Sequence, residues 1–242
     1  MNVFGLIGHP LSYSFSKQYF ENKFLKESIS NAQFNLFDLE KIEDFEKLLL
    51  NTAIKGLAVT IPYKKNVIHY LHHLSEVVNK IQACNCIKFV DQKLYGFNTD
   101  VIGFEKSFIK TLKPCQQKAL ILGNGGAAAA IKYVLDKLNI QYSLVSRTKK
   151  NDCLTYEDLN EEIILSHQII INTTPLGTFP NVDTCPNLLY HFITDKHYLF
   201  DVVYNPECSL FLQKGLEQKA FVKNGYEMLC IQAEENWKIW NE

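Results

Sequence analysis

Short apolar runs, each closed by a polar or turn residue, recur along most of this chain. Between them lie stretches whose apolar residues return every three or four positions. The runs predict strands near 3–7, 33–38, 56–61, 84–90, 93–97, 118–122, 141–146, 168–172 and 198–203. The helical periodicity predicts helices near 15–27, 41–50, 66–73, 76–82, 101–112, 126–138, 209–218 and 226–240. Such alternation predicts an α/β fold with mainly parallel sheets, because a helix carries the chain back to a parallel neighbour. "KFVDQKLYGF" breaks the alternation and reads as a hairpin turning through Asp91, Gln92 and Lys93. The chain shows no internal repeat and no low-complexity segment.

A domain boundary is predicted around 100–117, where the helix "VIGFEKSFIKTL" runs into the polar stretch "KPCQQK" before a fresh strand starts. The last helix carries Tyr226, Leu229, Cys230, Ala233, Trp237 and Trp240 on one apolar stripe, which could close either domain.

Composition narrows the function classes. With 242 residues, 47% hydrophobic and 21% charged, the chain has the make-up of a globular protein able to bury a core. A formal net charge of −1 argues against broad electrostatic binding to nucleic acid or to an anionic membrane. Apolar runs such as "ALIL" are too short to span a bilayer, and "MNVFGLIGHP" lacks the basic and apolar regions of a signal peptide. Seven scattered cysteines suggest reduced thiols and a cytoplasmic setting. Cys84 and Cys86 form a close pair without a second ligand pair, so no metal site is expected. His69, His72 and His73 read as a partly exposed helix face.

"KALILGNGGAAAAIKYVLDKL" is the sharpest physical signal. A strand runs into Gly123, Asn124, Gly125 and Gly126, and an alanine-rich helix follows. Glycines permit a tight turn and let a pyrophosphate approach the backbone, while the helix N-terminus offers free N–H groups. No Gly-Lys-Ser/Thr follows, so the turn reads as dinucleotide-binding rather than as a P-loop. The next strand ends in "YSLVSRTKK", where an NAD site would carry an acid for the ribose hydroxyls. Ser146, Arg147 and Thr148 stand there instead, and a guanidinium suits a 2′-phosphate, which points to NADP.

Polar groups also gather at other strand ends, where open α/β sheets place ligands. Ser12, Ser14 and Ser16 follow the first strand, and Thr60, Lys64 and Lys65 surround Pro62 in "VTIPYKK". "YGFNTDVIGFE" supplies Asn98, Thr99 and Asp100, and "FDVVYNPECSLFL" supplies Asp201, Tyr204 and Asn205. Taken singly, each has a structural reading: Ser14 or Asp100 as helix N-caps, Asn205-Pro206 as a turn.

In order along the chain, "GLIGHPLSYSFS", "VTIPYKK", "GFNTDVIGF", "LGNGGAAAA", "SRT", "INTTPLG", "DVVYNP" and "NGYEMLCIQA" resemble the motifs of the shikimate dehydrogenase family from end to end. The resemblance implies a two-domain α/β protein. An N-terminal substrate domain over 1–100 would be completed by a returning C-terminal helix at 226–242, and a Rossmann-like NADP domain would fill 101–225. It implies reversible reduction of the ketone of 3-dehydroshikimate to shikimate by NADPH, in a monomer or homodimer. Lys64, rather than its neighbour Lys65, and Asp100 would be catalytic. Ser14 and Ser16 would hold the substrate carboxylate. Thr60, Lys64, Asn85, Asp100 and Gln232 would line the ring hydroxyls, with Tyr204 beside them. Gly123, Asn124, Gly125, Gly126 and Ala127 would bind the pyrophosphate, and Ser146, Arg147 and Thr148 the adenosine phosphate. Val202 and Gly225 would lie near the nicotinamide.

The chain departs from the family pattern at Tyr13, Lys17 and Ala58, at Cys84 and Cys86 in "ACNCI", and at Glu227, Glu234 and Glu235. A quinate or aminoshikimate dehydrogenase of the same superfamily is the nearer alternative, and Arg147 speaks against its use of NAD. A non-catalytic NADP-binding regulatory protein is the other, and the presence of both Lys64 and Asp100 speaks against it.

Overall fold

The computed structural model describes residues 1–11, 14–149 and 153–242; Ser12, Tyr13 and Lys150 of the sequence reading lie outside the described residues. The chain divides into two compact units, Met1–Thr99 with Gln232–Glu242, and Asp100–Ile231.

The first unit comprises β1 (Asn2–Gly8), α1 (Phe15–Lys26), β2 (Ala32–Asp38), α2 (Phe45–Leu49), β3 (Ile54–Val59), β4 (His73–Leu74), α3 (Glu76–Ile81), β5 (Cys86–Val90) and β6 (Lys93–Phe97). Its sheet runs β2-β1-β3-β5-β6-β4, parallel except where β5 pairs antiparallel with β3 and β6. The predicted hairpin is present. Val90 pairs with Lys93, and Asp91 and Gln92 take positive φ of 47° and 62°, as a two-residue turn matching the strand twist requires.

Strand β1 is buried on both faces. Val3 and Ile7 pack with Phe45, Leu57 and Val67, whereas Phe4 and Leu6 pack with Phe20, Phe34 and Trp240. The departures Ala58 and Cys86 face each other across β3 and β5 and join that second cluster. Small side chains there make room for Trp240. A Cβ on Gly56 would lie 2.2 Å from its ring, and its Nε1 donates to Ile87 O at 3.0 Å.

The segment predicted as a helix over 66–73 instead forms a 3₁₀ turn at Asn66–Tyr70 and then β4. Pairing with the edge of β6 outweighs local periodicity. His72 N donates to Leu94 O, Leu94 N donates to His72 Nδ1, and His73 stacks on Tyr95 at 4.5 Å. The three histidines therefore do not share a helix face, and no cluster able to hold a metal occurs among the described residues.

The second unit comprises α4 (Asp100–Phe108), β7 (Lys118–Leu122), α5 (Gly126–Lys137), β8 (Gln141–Ser146), β9 (Cys153–Thr155), α6 (Glu161–Ser166), β10 (Ile169–Asn172), β11 (Tyr198–Asp201), α7 (Leu210–Glu217) and β12 (Phe221–Lys223). All its strand pairs are parallel, in the order β12-β11-β10-β7-β8-β9. This is the doubly wound order in which a nucleotide crevice forms at the reversal, here between β7 and β10. Both faces are covered. Leu120, Ile170 and Leu199 pack with Ile164 and Phe211, while Tyr198 and Phe200 pack on Phe104 and Phe108 of α4.

Helix α8 (Tyr226–Asn241) belongs to the second unit up to Ile231 and to the first from Gln232. Of its expected apolar stripe, Ala233 and Trp240 are buried, whereas Tyr226 is exposed. Two of the acids that depart from the family pattern are tied down: Glu227 to Lys110 and Lys223 in the second unit, Glu234 to Tyr19 and Lys23 in the first.

Candidate functional site

In the first unit, polar candidates collect at the C-terminal end of β3 and the start of β5. After β3 the chain turns through Thr60 to Lys65. Tyr63 pins this turn by donating to Leu39 O at 2.5 Å, and Thr60 N donates to Ile7 O. Lys64 O accepts from Cys84 N at 2.7 Å, so the lysine turn is bonded to the residue preceding Asn85. Lys64 is half-buried and Lys65 exposed.

Asn85 is almost wholly buried between strands: its O accepts from Val59 N and its N donates to Phe97 O. Its side chain joins a network with Thr99, Gln232 and Asn236. Asn85 Oδ1 accepts from Thr99 N at 2.7 Å, and Nδ2 donates to Thr99 Oγ1 at 3.0 Å and Gln232 Oε1 at 3.2 Å. Thr99 Oγ1 donates to Asn236 Oδ1 at 2.6 Å. The structure thus brings Asn85 and Gln232 together. Asn236 was missed by sequence reasoning, although its position one helical turn beyond Gln232, on the side of Ala233 and Trp240, was a usable signal.

Ser14 and Ser16 are half-buried at the start of α1. Ser14 stands at the N-cap, yet its side chain makes no capping bond, and Oγ is buried with no hydrogen-bond partner among the described residues. The capping explanation for Ser14 therefore fails. A buried hydroxyl without a protein acceptor is available to donate elsewhere.

The second unit carries the glycine turn at its strand reversal. Gly123 has φ of +107°, and a Cβ there would lie 2.7 Å from Thr173 Oγ1. Only glycine suits that backbone. A Cβ on Gly125 would meet nothing within 4 Å, so the backbone there is open to a close-approaching group. Gly125 caps α5 without a side chain, leaving first-turn N–H groups for an anion. Asn124 is exposed, and Ala127 lies in that first turn.

Next door, β8 ends in Ser146, whose hydroxyl donates to Thr148 O. Lys149 pairs with Asp158 at 2.7 Å; that bond and those from Thr155 hold the Asp158 carboxyl down at about 2. Arg147 is exposed and makes no ion pair or hydrogen bond among the described residues. Among its described residues, the basic strand end therefore has one engaged cation and one available cation.

On the other side of the reversal, Asp201 is fully buried, accepting from Asn172 Nδ2, Val203 N and Ser209 Oγ. Burial outweighs these donors and pushes its carboxyl up to about 7. It ties together the ends of β10 and β11 and the start of α7. Val202 and Gly225 touch: a Cβ on Gly225 would lie 2.2 Å from Val202 O. Tyr204 is half-buried just beyond. Asp100 opens α4 and is 5% exposed.

A profile of the shikimate dehydrogenase substrate binding domain matches residues 6–87. A shikimate dehydrogenase (NADP(+)) of Clostridium beijerinckii is 39% identical, covering 100% of this chain and 93% of its own length. The crystal structure of shikimate dehydrogenase from Aquifex aeolicus, 31% identical, superposes with a TM-score of 0.87 over 100% of this chain and 92% of that one. A further shikimate dehydrogenase, solved in complex with NADP+, is 29% identical with a TM-score of 0.85 over 99% of this chain and 90% of its own. With a relative this similar over its whole length, the chain belongs to the shikimate dehydrogenase family.

Proposed function

We propose that this protein catalyses the NADPH-dependent, reversible reduction of 3-dehydroshikimate to shikimate, a step of aromatic amino acid biosynthesis, in the cytoplasm. The unit formed by Met1–Thr99 and Gln232–Glu242 takes the substrate, and the unit Asp100–Ile231 takes the cofactor. The observation that carries this reading is the bond from Cys84 N to Lys64 O, which fixes the lysine turn beside Asn85, just ahead of β5.

The residues present fit NADP. Gly123 to Ala127 would cradle the pyrophosphate on an open backbone and an uncapped helix start. Arg147, with Ser146 and Thr148, would hold the adenosine 2′-phosphate, and Val202 and Gly225 would border the nicotinamide. When bound, the cofactor supplies the hydride. The chain's own residues position the ring and manage one proton.

Negative charge develops on the substrate oxygen during reduction. The Lys64 ammonium stabilises it and delivers the proton. Asp100 orients that ammonium and accepts from a substrate hydroxyl. Ser14 and Ser16 donate to the distal carboxylate, while Thr60, Asn85, Gln232 and Tyr204 complete the ring's surroundings. Seven free cysteines agree with a reducing compartment, and no described helix is long and apolar enough to cross a membrane.

Initial rates with shikimate and with quinate, each paired with NADP and with NAD, test the reading. The expected order puts shikimate with NADP far ahead. A preference for quinate with NAD would replace it with the sister activity, and no turnover of either substrate would refute catalysis.

A further inference from the structure

The two ends of a side-chain amide have nearly the same shape, so which end faces a ligand must be decided by hydrogen-bond logic. Here one backbone group decides it. Thr99 N–H can only donate, and it lies 2.7 Å from the Asn85 amide, so that end is Oδ1. The other end, Nδ2, lies 3.2 Å from the Gln232 amide and demands an acceptor, so Oε1 faces inward. The same Oε1 lies 3.5 Å from the Asn236 amide, which must present Nδ2. Asn236 Oδ1 is then left at 2.6 Å from Thr99 Oγ1, a distance suited to O–H···O rather than N–H···O. Thr99, which accepts from Asn85 Nδ2, gives its proton there. The four side chains have one consistent arrangement. Asn85, Thr99 and Asn236 are 2%, 0% and 1% exposed, so water offers them little alternative.

The arrangement turns Gln232 Nε2 away from the network. Gln232 is half-buried, and Nε2 has no hydrogen-bond partner among the described residues. We infer that Asn236, together with Thr99, is a positioning residue that holds the Gln232 amide with its NH2 toward the ligand. The site thereby selects a substrate presenting an acceptor oxygen, hydroxyl or ketone, over one presenting an ammonium at that ring position. The inference rests on the assignment of Gln232 to the ring hydroxyls under the proposed function. A hydroxyl gripped this way receives a hydrogen bond and keeps its own proton for another acceptor. An ammonium would set donor against donor.

The test uses the full chain and two variants. Gln232→Glu keeps an oxygen facing Asn85 and Asn236, while the outward atom changes from donor to acceptor and the side chain gains a negative charge. It should raise the KM for shikimate about 10- to 100-fold while leaving the KM for NADP unchanged. Asn236→Leu, similar in size but without an amide, should raise the shikimate KM by about three- to tenfold with a smaller change in kcat. Among shikimate analogues with each ring hydroxyl replaced in turn by an amino group, wild type should discriminate against the one facing Gln232. That discrimination should narrow in Gln232→Glu. Unchanged shikimate KM and unchanged discrimination in Gln232→Glu would overturn the inference. So would a fall in kcat at constant shikimate KM in Asn236→Leu, the mark of a merely structural role.

Side-chain amide hydrogen exchange by NMR reads the orientation without any substrate. The NH2 groups of Asn85 and Asn236 should be protected and that of Gln232 should exchange fast. A protected Gln232 NH2 overturns the inference. Wild type inert toward shikimate with the expected exchange pattern would instead refute the proposed activity and leave the amide orientation standing.

Discussion

The two units organise their polar groups in opposite ways. In the first, Asn85, Thr99 and Asn236 are buried and bonded side chain to side chain, and they set a fourth group, Gln232. In the second, the glycine turn offers backbone: an uncapped helix start, an open face over Gly125, and Arg147 standing exposed nearby. One surface is preorganised by side-chain chemistry, the other by the absence of side chains. The first suits discrimination among hydroxyls a few ångströms apart. The second suits a phosphate chain, which many N–H groups can hold without exact geometry.

The contrast breaks most sharply at Lys64. Lys64→Ala should lower kcat by about 10²- to 10⁴-fold, because the removed donor acts mainly in the transition state. Lys65→Ala, at an exposed neighbour, should change little, and steady-state rates with matched circular dichroism spectra check both. Equal modest losses would remove Lys64 from the mechanism.

On the backbone side, two glycines should behave differently. Gly125→Ala adds a methyl where the protein has none within 4 Å, so stability should hold while NADP affinity falls by about tenfold or more. Gly123→Ala forces an L side chain into φ of +107° against Thr173 and should also cost about 1–3 kcal/mol of stability. Titration with NADP and thermal melts separate the two. Matching Tm losses would show that both glycines serve the turn alone.

Arg147→Ala should weaken NADP by about 1.5–3 kcal/mol and leave NAD kinetics nearly unaltered, since losing a cation does not create a ribose-binding acid. Added salt should erode wild-type NADP affinity more than the variant's. Parallel losses for both cofactors would assign Arg147 to the adenine or the strand. Ser14→Ala should raise the shikimate KM by an amount worth about 1–3 kcal/mol. It should not destabilise the fold, although losing a true N-cap typically costs about 1 kcal/mol, because this hydroxyl caps nothing. A lowered Tm at constant KM would return Ser14 to a structural role.

The smallest effect concerns pH. Burial raises the Asp201 carboxyl to about 7, so the folded state keeps a proton that the unfolded chain, near the usual carboxylate value of ~4, has already lost. Its contribution to stability is full below that unfolded value and is lost as pH rises through about 7. Melts between those limits should show a decline that Asp201→Asn lacks. An identical profile in the variant would assign the decline to other groups.

The long elements were legible from the sequence because their patterns are local. Strands of five or more residues at β1, β7 and β8, or three turns of α5, declare themselves without neighbours. The short edge strands β4, β9 and β12 were not, since two or three residues carry no periodicity and pair only because a strand edge lies waiting; nor was α6, whose six residues are under two helical turns. The stretch at 66–73 shows the same competition, with a helical pattern overruled by the edge of β6.

The sequence by itself determined where the candidates for chemistry stand: a lysine after a proline-stopped strand, a glycine turn between strand and helix, and an arginine where an NAD site carries an acid. Those signals survive in one dimension because each depends on residues adjacent in the chain. Only the tertiary structure decided that Ser14 does not cap its helix, that Ala58 and Cys86 face each other where Trp240 needs room, and that Asn236 belongs beside Thr99. Thr99 and Asn236 are separated by 137 positions, and no local pattern encodes a hydrogen bond that exists only once the last helix has packed beside the turn after β6.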